Sequence, residues 1–299
     1  MLNAFTVDFE DWYQGLEIPH TRWAGFEDRI GPSGRRLLDL LGETGTRATF
    51  FVLGAVAERH PELVRELAGL GHEIATHGWS HTLVYRLKPE EFRSELTRSV
   101  QLLEELAGKP VVGHRAPFFS ITRESLWALE ILAETGIRYD SSIYPVWNYR
   151  YGIAGAPRWP HDIGKGAAAL REFPITTWRF LGRNVPVAGG AYFRLYPYAL
   201  TRHAYRSINR SGQPVAFYIH PWELDPGHPR IALPRRIAAT HYANLGATEP
   251  RLRRLLRDFT FAESGVGQQL RKDIPGRPFG HNRPRSKRLR ARSLRNHPA

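Results

Sequence analysis

Two histidines in the run HEIATHGWSH, His77 and His81, have the spacing of a metal-ligand pair. If the pair lies on a helical turn, the separation puts both imidazoles on one face, close enough to bind the same ion. The spacing alone is a weak signal, because histidines are ordinary surface or core residues far more often than ligands. The pair indicates a metal site only if further ligands lie nearby.

An acidic cluster near the start of the chain supplies candidates for the missing ligand. The apolar residues 4–7 predict a short strand that runs directly into Asp8, Glu10 and Asp11. Carboxylates this close repel one another, and a bound cation removes that conflict. Alternation along a strand puts Asp8 and Glu10 on the same side, which suits one as a base and one as a ligand. Asp11 takes the ligand role if the strand ends early, and a solvated acidic turn is the alternative for the whole cluster.

Three later segments place polar side chains just after predicted strands. Arg115 follows an apolar pair in VVGHRAPF, where it can hold a carboxylate by a two-pronged hydrogen bond, although a structural salt bridge explains it equally. Asp140 in YDSS fits a site residue, a helix cap or a turn. His220 ends the predicted strand 214–219 in the segment HPWE, and a lone histidine there is more often structural.

The order of these motifs resembles the polysaccharide deacetylases of the NodB-homology class, carbohydrate esterase family four, over roughly residues 1–225. Residues 172–174 and 182–194 also resemble the exopolysaccharide-linked subgroup associated with exosortase loci in Gram-negative bacteria, as does the IHPWE segment. Two departures are visible. The family signature TFDDG reads Thr6-Val7-Asp8-Phe9-Glu10 here, and the tyrosine that usually follows R-x-P is Phe118.

The resemblance implies a divalent metal, zinc being favoured, and a hydrolase that removes N-acetyl groups from N-acetylhexosamine units of a polysaccharide or lipid-linked glycan. It implies metal binding by His77 and His81 with Glu10, and with Asp11 as the reserve ligand. It implies that Asp8 is the base and that Arg115 holds this base ionised. It also implies that the backbone of Phe118 is the oxyanion donor, that His220 is the acid and that Asp140 is a wall residue of the site.

The elements that position these residues alternate between strands and helices. Helical patterns cover 33–41, 61–70, 88–107, 123–135 and 198–209, and apolar strands cover 46–53, 73–76, 111–112 and 215–219. Such alternation predicts an α/β fold with parallel strands and helical crossovers. The resemblance implies a distorted or incomplete (β/α) barrel of the polysaccharide deacetylase type. Residues 144–191 show little periodicity and predict a long excursion beside the site.

Composition limits the domain count and the compartment. The 299 residues are expected to form one catalytic domain, 1–265, followed by a basic tail, 266–299. Residues 271–299 hold ten Lys or Arg and one Asp, so most of the net charge of +13 belongs to this tail. The tail is expected to be a disordered, solvated extension. Binding to an anionic polysaccharide, to RNA or to an acidic surface such as the inner membrane is the alternative. No cysteine is present, which excludes disulfides and a thiol nucleophile but does not indicate the compartment. Asp8, Glu10 and Asp11 lie where a secretion signal needs an apolar run, and no stretch of about 18 apolar residues occurs, so we expect a cytoplasmic protein.

The expected partner is an acetylated glycan, and no nucleic acid is expected because no basic-aromatic motif accompanies the charge. Aromatic side chains near the motifs suit sugar rings, and we expect about two of them to touch substrate. These are Trp12, Tyr13, Trp79, Trp147, Tyr192 and Trp222. A related amidohydrolase acting on a small cyclic or linear amide, or a catalytically silent carbohydrate-binding protein, remains the alternative.

Overall fold

The computed structural model describes residues 1–164 and 169–264, and the predicted tail 266–299 lies outside the described residues. Eleven strands occur in the described part of the chain: β1 Leu2–Phe9, β2 Thr49–Val52, β3 Glu73–Thr76, β4 Gly113–His114, β5 Tyr139–Asp140, β6 His161–Ile163, β7 Leu170–Glu172, β8 Thr177–Phe180, β9 Arg183–Pro186, β10 Ala216–Ile219 and β11 Thr260–Ala262. Nine α-helices occur there too: α1 Ile30–Glu43, α2 Gly54–Arg59, α3 Pro61–Gly69, α4 Pro89–Ala107, α5 Trp127–Glu134, α6 Gly190–Leu195, α7 Tyr198–Arg210, α8 Arg235–Tyr242 and α9 Thr248–Asp258.

The main sheet has the strand order β10-β1-β2-β3-β4-β5-β7-β6. All neighbours from β10 to β7 are parallel, and only β6 runs antiparallel to β7. β6 and β10 do not pair within the described residues, so the barrel is incomplete, in agreement with the predicted fold class. Strands β8 and β9 form a separate hairpin.

Strand β1 lies inside the sheet and divides its side chains between two faces. Phe5, Val7 and Phe9 are buried in the main apolar cluster with the helices. Thr6 and Asp8 alternate with them and face the other way, as the period of a strand requires. Because strands β10 and β2 flank β1 in register, the polar end of β1 lies beside the ends of both neighbours.

Gly113 is required where β4 meets β5. A Cβ on this residue would lie 2.2 Å from Cζ of Tyr139, its partner in the register, and Tyr139 is fully buried. The missing side chain therefore lets the two short strands approach around the tyrosine ring.

The predicted helices and strands are found with shifted ends, and several elements were not predicted. The strand expected at 111–112 is instead Gly113–His114, and the helix expected at 123–135 is a short 3-10 turn, Arg123–Ser125, followed by α5. The excursion 144–191 contains β6 to β9. None of these four strands was predicted from the sequence. Among the described helices, none is both long and apolar enough to cross a bilayer.

Candidate metal centre

The polar residues singled out in the sequence follow the carboxyl ends of neighbouring parallel strands. Asp8 and Glu10 lie at the end of β1, His77 follows β3, Arg115 follows β4 and His220 follows β10. Parallel strands present these ends at one edge of the sheet, where barrel folds place their functional groups. Four of these five line one cavity of about 280 Å³, and Arg115 lies fully buried behind Asp8.

Glu10, His77 and His81 form a candidate metal-binding group. One ligand atom from each of the three lies within 4.8 Å of the other two, and all three side chains are buried. Glu10 Oε2 is 2.5 Å from His81 Nε2 and 3.7 Å from His77 Nε2. Two imidazoles and one carboxylate with a free position is a common ligand set for catalytic zinc.

The two histidines do not lie on a helix, as the sequence had suggested they might, but in the loop after β3. Gly78 and His81 have φ angles of 75° and 55° in this loop. These left-handed residues turn the chain back on itself, which brings the two rings to 5.2 Å between centroids. The convergence arises from a tight loop and not from helical periodicity.

The hydrogen bonds around the group suit a divalent ion. His77 Nδ1 lies 2.7 Å from the backbone oxygen of Arg115, so it donates its proton there and leaves Nε2 free to ligate. Burial lowers the pKa of His77 to about 4, which keeps the imidazole in the neutral form that binds metal. Glu10 Oε2 accepts no well-aligned hydrogen bond from the described residues although it is buried. The residues present therefore fit a bound divalent cation.

Asp8 is held as a carboxylate beside this group. Burial opposes its ionisation, but the Arg115 guanidinium donates to Oδ1 at 2.7 Å, and the net effect lowers the pKa of Asp8. Arg115 is fully buried and also donates to Thr6 Oγ1 and Ser141 Oγ. Its orientation is fixed by these bonds, so one oxygen of Asp8 is engaged and Oδ2 lies 3.9 Å from His220 Nε2.

Asp11, the reserve ligand of the sequence analysis, does not join the group. Its carboxylate accepts the backbone N–H groups of Trp12, Arg29 and Ile30 at 2.8, 2.7 and 3.1 Å. The last two belong to the start of α1, so Asp11 caps this helix from a distant part of the chain. The structure thus selects Glu10 over Asp11 on position, and the prediction of Asp11 as a ligand is corrected.

His220 is oriented by a pair of buried residues that the sequence analysis did not single out. Its Nδ1 lies 2.8 Å from Oε1 of Glu223, and Arg194 Nε donates to Glu223 Oε2 at 2.6 Å. Burial opposes the charge on the ring, yet the bond to Glu223 and the nearby acids raise the pKa of His220 to about 9. Burial likewise disfavours the Glu223 carboxylate, but Arg194 and His220 lower its pKa to about 2. His220 is therefore a cation with Nε2 directed to the acids of the cavity.

Asp140 lies behind the site and does not form its wall, which corrects the predicted placement. Its Oδ1 accepts from His114 Nδ1 at 2.7 Å and from Ser142 Oγ at 2.6 Å. Ser142 Oγ in turn accepts the backbone N–H of Ala116 at 2.8 Å. Asp140 thus supports the segment that carries Arg115 and does not line the cavity.

Phe118 lines the cavity. It lies in the 3-10 turn Pro117–Phe119 with a φ of 54°, a conformation that costs energy for an aromatic residue. Its ring centroid is 4.5 Å from that of His81. Of the six aromatic residues proposed for sugar contact, Tyr192 and Trp222 line the cavity.

Two imidazoles, a carboxylate and an arginine-bound aspartate lie at the carboxyl edge of an incomplete parallel barrel. Such an arrangement is typical of α/β-barrel hydrolases, and the two imidazoles with the carboxylate form a candidate metal site. Comparison of the sequence with family models gives the finer assignment. Residues 21–139 match the model described as polysaccharide deacetylase, and residues 141–266 match a domain of unknown function, DUF3473. Residues 21–139 therefore contain a polysaccharide deacetylase domain.

Similar proteins are known by sequence and by structure. A peptidoglycan-N-acetylglucosamine deacetylase of Bacillus cereus is 34% identical over 130 residues, which are 43% of this chain and 46% of that protein. This chain covers about a third to a half of the length of the curated relatives that it matches.

Two crystal structures of proteins assigned as polysaccharide deacetylases share the fold. The one from Pseudomonas aeruginosa PAO1 has a TM-score of 0.60 at 15% identity and covers 92% of each chain. The one from Mycobacterium smegmatis has a TM-score of 0.57 at 22% identity and covers 92% of this chain and 95% of that one.

Proposed function

We propose that this protein is a metal-dependent hydrolase that removes N-acetyl groups from N-acetylhexosamine units of a polysaccharide or lipid-linked glycan. The observation that carries the proposal is the convergence of three groups on one cavity. These are the ligand set of Glu10, His77 and His81, the Asp8–Arg115 pair, and His220. Each group supplies one requirement of amide hydrolysis, and they come from four different strands.

Glu10, His77 and His81 would hold the metal, with zinc as our favoured ion. When bound, such an ion polarises the acetamide carbonyl and lowers the pKa of a water molecule toward about 7. Asp8 accepts the proton of the attacking water at Oδ2, since Oδ1 is engaged by Arg115. We assign the backbone N–H of Phe118, at the edge of the same cavity, to the negative charge that develops on the carbonyl oxygen.

His220 completes the reaction by donating a proton to the departing amine. The bond to Glu223 fixes the Nδ1 proton, so Nε2 is the nitrogen that faces the cavity and the acids of β1. Glu223 is itself held by Arg194, and both side chains are buried. The acid and the base therefore lie on adjacent strands, with Nε2 of one 3.9 Å from Oδ2 of the other.

The substrate class is supported by the relatives and by the cavity. The Bacillus cereus relative is a peptidoglycan-N-acetylglucosamine deacetylase, and an acetylated amino sugar carries the amide that this site would hydrolyse. The cavity of about 280 Å³ is lined by Tyr192 and Trp222, whose rings suit the apolar faces of a sugar. We also propose a role in exopolysaccharide biosynthesis, which the resemblance of residues 182–194 to the exopolysaccharide-linked subgroup supports.

The experiment measures bound metal and released acetate on the same preparations. The purified protein should release acetate from acetylated amino-sugar oligomers, lose this activity in chelator and regain it with a divalent ion. His77→Ala and His81→Ala should lose the metal, whereas Asp8→Asn should keep it and lose turnover. His20→Ala is the control, because His20 is exposed and outside the cavity.

Three outcomes separate the alternatives. Full activity in either histidine variant refutes the metal assignment. Opening of a cyclic amide with no acetate release points to a related amidohydrolase. Glycan binding with no turnover in the metal-loaded protein points to a silent carbohydrate-binding protein.

A further inference from the structure

Two arginines of the cavity rim each lie over an aromatic ring. The guanidinium carbon of Arg150 is 4.5 Å from the ring centre of Phe118, and that of Arg236 is 5.1 Å from the ring centre of Tyr149. Both arginines line the cavity. Contact with an aromatic face holds a guanidinium in place while leaving its N–H groups available to a ligand.

The charge of the rim is not balanced by carboxylates. Glu17 accepts from both Arg150, at 2.7 Å, and Arg86, at 3.1 Å, so one acid serves two guanidinium groups. Arg236 has no carboxylate partner in the described part of the chain. Among the described residues that line the cavity, the carboxylates are Asp8 and Glu10, both at its base. The opening of the cavity therefore carries excess positive charge, whereas the carboxylates below it already have cationic or imidazole partners.

The wall that carries Arg236 is held in place by the same residue that supports His220. Arg194 donates to the backbone oxygens of Thr240, His241 and Ala243 at 2.8, 3.1 and 2.6 Å, at the end of α8. A cation at this position stabilises a helix terminus. The orientation of α8, and with it the position of Arg236, is thus fixed to the catalytic edge of the sheet.

Two stacked aromatic side chains, Trp222 and His241, lie on the same wall. His241 is 5% exposed and lines the cavity, and its Nε2 has no hydrogen-bond partner among the described residues. Trp222 Nε1 also has no hydrogen-bond partner among the described residues. Its ring stacks on that of His241, with 4.4 Å between the ring centroids. The stacked rings give this wall a flat apolar face, which suits a sugar ring.

We infer that the glycan substrate is anionic, with a carboxylate or phosphate group close to the acetylated sugar, and that Arg236 and Arg150 bind this group at the rim. The inference rests on the proposed deacetylase function and deepens it. Both arginines belong to residues 141–266, which match the domain of unknown function. The Phe118 ring beneath Arg150 lies outside this segment. This segment thereby acts as the selectivity wall of the deacetylase site.

The test compares matched substrates on the metal-loaded, full-length protein. One is a tetrasaccharide of alternating N-acetylglucosamine and glucuronic acid, and its neutral form has the carboxyl groups reduced to alcohols. A second pair carries an anomeric phosphate or a free anomeric hydroxyl, which distinguishes a phosphate from a carboxylate as the anion. At low salt the kcat/KM for one anionic form should exceed that of its neutral form on the order of tenfold.

Arg236→Gln should remove most of that ratio, whereas Arg235→Gln should keep it. Arg235 is exposed on the same helix and does not line the cavity, so it is the matched control. Salt at about 0.5 M should lower the ratio in the unmodified protein, because rim charges are screened. Equal kcat/KM for charged and neutral forms in both pairs, or equal effects of the two substitutions, overturns the inference.

Failure of the proposed function gives a different result. If no substrate loses acetate, the proposed function fails, and calorimetric binding of the same pairs then tests the inference by itself. Tighter binding of an anionic form that depends on Arg236 supports it, and equal binding of both forms refutes it.

Discussion

Removal of the Arg194 guanidinium should destabilise the protein strongly. Arg194 Nε lies 2.6 Å from Glu223 Oε2, the two side chains are 2% and 1% exposed, and the guanidinium also serves three backbone oxygens of the α8 end. Arg194→Gln leaves a buried carboxylate with only His220 as partner. Breaking a buried pair in this way costs about 3–5 kcal/mol, against a total stability of about 5–15 kcal/mol. Urea unfolding followed by tryptophan fluorescence measures the loss.

Two further variants test the reason and not merely the size of the effect. Arg171→Gln removes an ion pair with Asp162 whose side chains are 38% and 64% exposed, and it should cost under about 1 kcal/mol. The double variant Arg194→Gln/Glu223→Gln should be less unstable than Arg194→Gln alone, because a neutral amide replaces the buried carboxylate that has lost its arginine. A double variant that is as unstable as the sum of the two single variants would show that the electrostatic argument is wrong.

Three other perturbations have defined outcomes. Asp11→Asn should keep bound metal and lower the free energy of unfolding by about 1–2 kcal/mol, because it weakens the cap of α1. Loss of metal from the purified variant would instead show that Asp11 is a ligand. Burial lowers the pKa of His72 to about 4, so the unfolded chain binds the extra proton between that value and 6.5 and stability falls as the pH drops through this window. The non-titrating His72→Gln should therefore lose about 1 kcal/mol less per pH unit than the unmodified protein there, and parallel unfolding curves would refute this. Gly113→Ala should lower the thermal midpoint, because its Cβ would meet the buried Tyr139 ring at 2.2 Å, and an unchanged midpoint would mean that β4 shifts freely.

The candidate ligands could be identified from the sequence, but the local backbone structure that brings them together could not be predicted. Asp8 and Glu10 were placed on one side by strand alternation, and both line the cavity. The His77 and His81 spacing was interpreted through helical geometry, whereas two left-handed residues in a loop produce the convergence. A spacing of four residues has more than one way to bring side chains together, and only the loop dihedral angles distinguish them.

The residues that support His220 show what kind of signal a single sequence contains. Glu223 lies three positions after His220, and its Oε1 also accepts the His220 backbone N–H at 3.0 Å, so a capping-box pattern in HPWE was available as a signal. Arg194 comes from α6, with no local pattern that connects it to Glu223. Asp140 was expected at the wall, but the hydrogen bonds that place it behind Arg115 depend on the pairing of β4 with β5.

The pairing of strand β1 delays the completion of the candidate site during synthesis. Residues near the start of the chain form β1, but its partners β10 and β11 come from residues 216–219 and 260–262. Contacts of such long sequence separation form late, because the intervening chain must first be ordered. While the ribosome is still translating the second half, Asp8 and Glu10 therefore lack one side of their sheet. A nascent chain arrested before residue 216 should have no assembled cavity, however well its first helices have formed.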